Sequence, residues 1–292
     1  MVILQLIINA FSLGSFYALV ALGFALIFGV THAFNLAHGE LILLGGYLAY
    51  TLAGQMQVPF LGTLPVTALA MVIIAILLQK LLRRVGQPYE LNTLVVTFGL
   101  ALVLQNTMLM LFSADYRIIQ SAAPAIELPY TQLLLTRTQV ILIGTSLLAT
   151  TALYILLRKT FLGKALRATI QDREAAKLAG INVRRMSLVG FAIGGALIGL
   201  AGPLYARTTY LYPSGGTEAS LIAIIITIFA GVGRIRGILL GGWALGIAES
   251  TTVYALGTGW RELVSALVLI SLLLLKPQGI LSRKPKAARL PG

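Results

Sequence analysis

The chain has no cysteine, which excludes a disulfide framework, a thiolate nucleophile and a thiolate metal site. Histidine is almost as scarce. His32 and His38 lie six residues apart on an irregular stretch and offer no metal-ligand geometry. Charge is thin, at 11% of 292 residues, and acids number nine against 22 Lys and Arg. No Gly-x-x-x-x-Gly-Lys-Ser/Thr phosphate loop occurs, and neither Gly-x-Ser-x-Gly nor His-Glu-x-x-His is present. Little remains for hydrolytic chemistry, and a membrane enzyme is set aside.

What the chain has in abundance is apolar sequence: 58% hydrophobic residues and a mean hydropathy of +0.91. Repeated runs near the length needed to cross a bilayer mark a polytopic, all-α membrane protein. The runs are Val2–Val30, Leu41–Ala53, Pro59–Leu82, Leu91–Ala114, Gln139–Leu157, Ser187–Leu211, Ala219–Val232, Ile238–Leu256 and Leu263–Leu275. They predict about eight or nine spans with one broken or re-entrant segment, in a single transmembrane domain over residues 1–292. The first run lacks a basic leader and an A-x-A-like cleavage site, so it reads as a retained span. A net charge of +13 would suggest nucleic acid in a soluble protein, but loop charge explains it better. Alternating the spans gathers eighteen Lys and Arg on one side. Arg117, Arg137, Arg207 and Arg261 remain on the other. By the positive-inside rule, the long basic loop and the basic tail 277–292 are cytoplasmic and the N-terminus is external.

That loop, 158–186, is the one long polar segment. It carries eight Lys or Arg against Asp172 and Glu174. Its alanines favour a short helix with Leu166, Ile170 and Leu178 on one side, and Gly180 supplies a C-terminal stop. A charge anchor alone does not require such a helix. The shape suits docking into a groove on a cytosolic partner.

Glu174-Ala175-Ala176 followed by Gly180 matches the E-A-A-x-x-x-G core by which bacterial ABC importer permeases grip their ATPases. Gly163–Ile181 (GKALRATIQDREAAKLAGI), Asn35–Glu40 (NLAHGE), Gly231–Gly242 (GVGRIRGILLGG) and Lys276–Gly279 (KPQG) lie in similar order and spacing to patches of the high-affinity branched-chain amino-acid permeases. Over nearly its whole length the chain resembles the LivH-type permeases of the hydrophobic amino-acid uptake family. It departs from them in two places. The I-x-L-P that often closes the importer motif is replaced by Asn182-Val183-Arg184-Arg185, and Arg236 stands where relatives often have proline.

The resemblance implies an ABC importer permease fold and a coupling set of Arg167, Asp172, Glu174, Ala175, Ala176 and Gly180. It also implies a heterodimer with a second related permease, two cytosolic ATP-binding subunits and a periplasmic or lipoprotein solute-binding protein. No cofactor would be bound by this chain itself, ATP being used by the partner subunits in a bacterial inner membrane. Leu, Ile or Val are the implied solutes, with urea or short amides as the alternative.

Three further features bear on the transport path. Asn35, His38, Gly39 and Glu40 interrupt apolar sequence. Either they line a translocation path, as broken helices do in transporters, or they form a cytoplasmic turn with Asn35 capping the next helix. Glu249 stands mid-span beside Ser250, Thr251 and Thr252. It would coordinate a proton or a substrate ammonium, or else be a carboxyl satisfied by hydroxyls or by an arginine of another helix. Glu218, at the outer end of its span, reads as a solvated cap or a contact for an external partner. Gly233, Gly237 and Gly241 share a helix face suited to close packing, as do Gly194, Gly195, Gly199 and Gly202 near Pro203. An ion-coupled secondary transporter or channel using Glu249 and the 35–40 break is the competing class. It would leave the E-A-A loop without a purpose.

Overall fold

In a computed structural model, the structure describes residues 2–120, 126–127, 134–231 and 234–275. Eleven α-helices appear among them: α1 (Val2–Thr31), α2 (His38–Gly54), α3 (Phe60–Leu82), α4 (Tyr89–Phe112), α5 (Arg137–Lys159), α6 (Phe161–Gln171), α7 (Arg173–Leu178), α8 (Val183–Thr208), α9 (Gly216–Ala230), α10 (Ile235–Leu256) and α11 (Arg261–Leu275). A two-residue antiparallel pair, β1 (Ile126–Glu127) with β2 (Leu134–Leu135), precedes α5. Setting aside short α6 and α7, nine helices remain among the described residues, within about four residues of the boundaries of the hydropathy runs. The tail 277–292 and the Lys276–Gly279 patch lie outside the described residues.

Pairing of the helices exposes an inverted repeat. α1 lies along α10 as α3 lies along α8, α2 packs on α8 as α9 packs on α1, and α4 flanks α2 as α11 flanks α9. The quartets α1–α4 and α8–α11 run in opposite directions. Gly190, near the start of α8, would meet Val30 at the end of α1 with any added Cβ, whereas Tyr205 near its end lies tilted against Phe16 at the middle of α1, with ring centroids 5.9 Å apart. Inverted repeats of this kind are a common transporter architecture. In each quartet a long first helix (30 residues in α1, 26 in α8) is followed by a short second one (17 in α2, 15 in α9).

Glycine sets how closely these helices approach. In the α1/α10 pair, a Cβ on Gly246 would lie 2.6 Å from the Ala10 carbonyl oxygen, and one on Gly242 2.5 Å from that of Gly14. In the symmetry-related α3/α8 pair, Gly195 sits against Met71 and Ala75, and Gly199 against Thr67 and Ala68. Backbones this close gain packing that lipid tails cannot replace. Gly241 faces Phe229 and Ile226 of α9, Gly237 is buried, and Gly233 lies outside the described residues. The core runs down α1, whose Phe16–Ile27 stretch is buried by α8, α9 and α10.

Polar side chains set the starts of several helices. Thr136 and Gln139 form a reciprocal capping box on α5, and Thr160 accepts from Gly163 N–H on α6. Asn182 accepts from Arg185 N–H, so the residues standing in place of I-x-L-P cap α8.

Candidate functional site

At the end of the bundle that carries α6 and α7, the basic loop is two helices, where the sequence predicts one. Asp172 is the break. Its extended backbone (φ −155°, ψ 111°) ends α6, and its carboxylate accepts from Glu174 N–H at 2.9 Å and Ala175 N–H at 3.0 Å, capping α7. The turn corrects one expectation: Leu166 is buried and Ile170 packs over Gly29 of α1, but Leu178 leaves their face and is 91% exposed. α7 closes as a Schellman motif, with Gly180 N–H on the Lys177 carbonyl, Ile181 N–H on the Ala176 carbonyl, and Gly180 at φ +79°. Ala176 packs inward. Glu174, Ala175, Lys177 and Leu178 form an outward surface, with Glu174 and Lys177 paired at 2.6 Å. Arg167 turns the other way. With His32 and Arg234 it lines a cavity of about 400 Å³ whose walls are apolar side chains of α1, α5 and α10.

The Asn35–Glu40 break lies inside the bundle and is not a surface turn. α1 stops at Thr31, and the chain folds back along it until His38 Nε2 is 3.1 Å from the Val20 carbonyl. Val20 is eleven residues before the end of α1, so the His38 side chain reaches about three turns, ~16 Å, back along that helix. Asn35, His38 and Glu40 are all buried. Asn35 Oδ1 accepts from Ala37 N–H at 3.1 Å without capping α2, Leu36 N–H donates to Thr97 Oγ1, and Gly39 N–H donates to Ser220 Oγ at 2.8 Å. The start of α9 meets this point from the opposite direction: a Cβ on Gly216 would lie 2.7 Å from Glu40 N. Two half-length helices therefore start face to face in mid-bundle, and irregular backbone there is tolerated because protein groups satisfy its amides. None of Asn35, His38, Gly39 and Glu40 lines either cavity described here.

Glu249 is 1% exposed and fully engaged. Oε2 accepts from Arg261 Nε at 2.9 Å and from Tyr17 Oη at 2.5 Å, and Oε1 accepts from the Ser265 hydroxyl. Its partners come from α1 and α11, while neighbouring Thr251 and Thr252 bond to backbone carbonyls of their own helix. A buried carboxylate is tolerable only with such a set. Arg261 also reaches Glu218 of α9 at 3.4 Å, so one guanidinium ties α9, α10, α11 and α1 together. On the open side of Arg261 is a cavity of about 870 Å³, at the end of the bundle opposite α6 and α7, bounded by α1, α5, the end of α8, and α10. Arg261, Glu218 and Arg207 line it, and Glu249 sits behind Arg261. Sequence reasoning missed Tyr17, Arg261 and Ser265. Arg261 entered only as an outer-loop charge, and Tyr17 is one polar hydroxyl within a thirty-residue apolar helix.

The profile of the family described as "Branched-chain amino acid transport system / permease component" matches residues 6–273. The chain is 30% identical over 301 residues to the high-affinity branched-chain amino acid transport system permease protein LivH of Salmonella typhimurium, covering 96% of each. It is 28% identical to the corresponding permease protein BraD of Pseudomonas aeruginosa, again over 96% of each. This chain belongs to the branched-chain amino acid permease family. Among solved structures, a chain of PsaBC from Streptococcus pneumoniae in complex with Fab has the same fold, with a TM-score of 0.52, 12% identity and coverage of 92% and 91% of the two chains.

The protein is thus a multi-pass membrane permease subunit of an ABC importer, and the matched region spans both quartets and the α6–α7 end. Arg236 donates to Tyr154 Oη at 2.8 Å and lies 4.9 Å over its ring, fastening the start of α10 to α5.

Proposed function

We propose that this permease carries branched-chain or other small amino acids across a bacterial inner membrane. A periplasmic or lipoprotein solute-binding protein delivers them, and two cytosolic ATP-binding subunits supply the energy. The outward surface of α7 carries this reading: a capped, Schellman-closed helix presenting Glu174, Ala175 and Leu178 to solvent at the basic end. Leu178, 91% exposed beside the Glu174–Lys177 pair, gives that surface one apolar point among charges. Loop charge puts that end in the cytoplasm, and the substrate class follows from the relatives' names.

The complex is a heterodimer of this chain and a related permease. When the ATPases close, α7 is pushed, α6 transmits the motion to α1 through Ile170, and the quartets rock about the crossing of α2 and α9. The 35–40 break and Glu249 serve the path as its hinge and its anchor for Arg261. Tagged protein purified in mild detergent should bring down ATP-binding subunits and a second permease in stoichiometric amounts. Glu174→Arg and Gly180→Leu should lose the ATPases while keeping the second permease. A native chain that purifies alone and moves solute in ATP-free liposomes would overturn the reading.

A further inference from the structure

We propose that a cavity between the end of α3 and the starts of α7 and α8 binds the headgroup of an acidic phospholipid that carries free hydroxyls, of the phosphatidylglycerol type. Its volume, about 430 Å³, lies in the range of small-molecule sites, roughly 300–1,000 Å³. Three arginines from three elements line it. Arg83 closes α3, Arg173 is the first residue of α7, and Arg184 stands in the first turn of α8. None of the three side chains has a hydrogen bond or ion pair among the described residues, and no acid lines the cavity. Glu90 belongs to the adjoining cavity, which shares Gln87, Tyr89 and Arg173 with this one. Like charges gathered around one hollow repel each other, and an anion among them relieves the repulsion.

Gln79 is the second observation. It is 2% exposed, it lines the same cavity, and its Oε1 has no hydrogen-bond partner in the protein. Native structures rarely leave a buried amide oxygen unpaired, because it has lost its water without compensation. The arginines need an anion and the amide oxygen needs a donor. A phosphodiester with a hydroxyl beyond it supplies both. Position selects a lipid as the source. Loop charge assigns this end of the bundle to the cytoplasm, and basic pockets between spans on that side suit acidic headgroups. The last turns of α3 and the first turns of α4 leave Leu77, Leu81, Leu91 and Val95 well exposed, an apolar surface for the acyl chains. A bound headgroup bridges the first residue of α7 to the ends of α3 and α8, bracing α7 against the membrane domain.

The test is equilibrium binding of tail-labelled phosphatidylglycerol to the complex as purified in mild detergent and stripped of lipid. Saturable binding is expected, about tenfold or more tighter than that of phosphatidylcholine, whose net charge is zero. Phosphatidylmethanol keeps the phosphodiester charge without the hydroxyls and should bind more weakly than phosphatidylglycerol, a difference that Gln79→Leu should abolish. Arg83→Gln and Arg184→Gln should each weaken phosphatidylglycerol by about tenfold, whereas Arg158→Gln, an equal loss of charge at the end of α5 outside the cavity, should not. Equal binding of phosphatidylglycerol and phosphatidylcholine by the native complex overturns the proposal, whatever the variants do. Equal losses from Arg158→Gln and from the cavity arginines overturn it as well, since diffuse charge would then explain the binding. Full displacement of the lipid by millimolar inorganic phosphate would make this a site for free phosphate and reject the lipid. Binding that emerges only when the ATP-binding subunits are removed would give the arginines to that partner instead. A native complex that binds phosphatidylmethanol as tightly as phosphatidylglycerol, or a difference that survives in Gln79→Leu, overturns the choice of headgroup.

Discussion

Gly39 and Gly216 meet backbone to backbone where α2 crosses α9, and a Cβ on Gly39 would fall 1.7 Å from the Gly216 carbonyl oxygen. The contact joins the starts of two half-length helices from opposite quartets. It therefore lies on the pseudo-symmetry axis that relates the two quartets.

Gly39→Ala should accordingly destabilise the bundle by ~1–3 kcal/mol or more, because the obstructing atoms are backbone and cannot swing aside. Gly144→Ala in α5, with nothing near its Cβ, should be neutral or slightly stabilising. Thermal unfolding in detergent checks the pair, and equal Tm values for the two variants would refute the crossing.

Arg261→Met alone strands Glu249 in the protein interior and should cost about 3–5 kcal/mol. The double variant Glu249→Leu with Arg261→Met removes both charges and should recover most of that loss. A double variant no more stable than the single would show that the two side chains are not coupled.

Asp172→Ala removes the acceptor for two N–H groups at the start of α7 and should cost that short helix ~0.5–2 kcal/mol. The membrane core is untouched, so Tm should hold while ATPase recovery in pull-downs falls by about tenfold, equivalent to ~1.4 kcal/mol. Asp172→Asn keeps an acceptor and should restore most of the binding.

The absence of cysteine makes the chain a clean background for labelling. Leu178→Cys should react with a membrane-impermeant maleimide only in inside-out vesicles, and Tyr116→Cys only in intact spheroplasts, both parent side chains being well exposed. The reverse pattern would invert the orientation inferred from loop charge.

Much of this was legible without coordinates. The polar interruption at Asn35–Glu40 stood out, with a broken helix and a cytoplasmic turn as its two readings, and Gly180 marked the end of α7. Glu249 was visible as an intramembrane acid needing partners. Its partners were not, because Tyr17 and Arg261 are 244 residues apart and nothing local to either points to the other. The glycines at 233, 237 and 241 stood out by their spacing, yet Gly242 and Gly246 on another face bring α10 onto α1. Spacing reveals that a face is small without saying which helix will lie on it. Leu178 was misassigned for a related reason: a helical period extrapolated through Asp172 ignores the turn its side chain makes.

By itself the sequence determined that the chain is a bundle of apolar helices, roughly where each helix lies, and which loop carries the charge. A bilayer core offers no water to backbone amides, so each apolar run must become a helix. Tertiary structure alone decided the inverted pairing of the quartets, the meeting of α2 with α9, and the charged cavity lined by Arg261 and Glu218. In a medium as apolar as the side chains themselves, hydrophobicity cannot choose partners. Shape, close backbone approach and buried charge choose them, and these exist only once the helices have met.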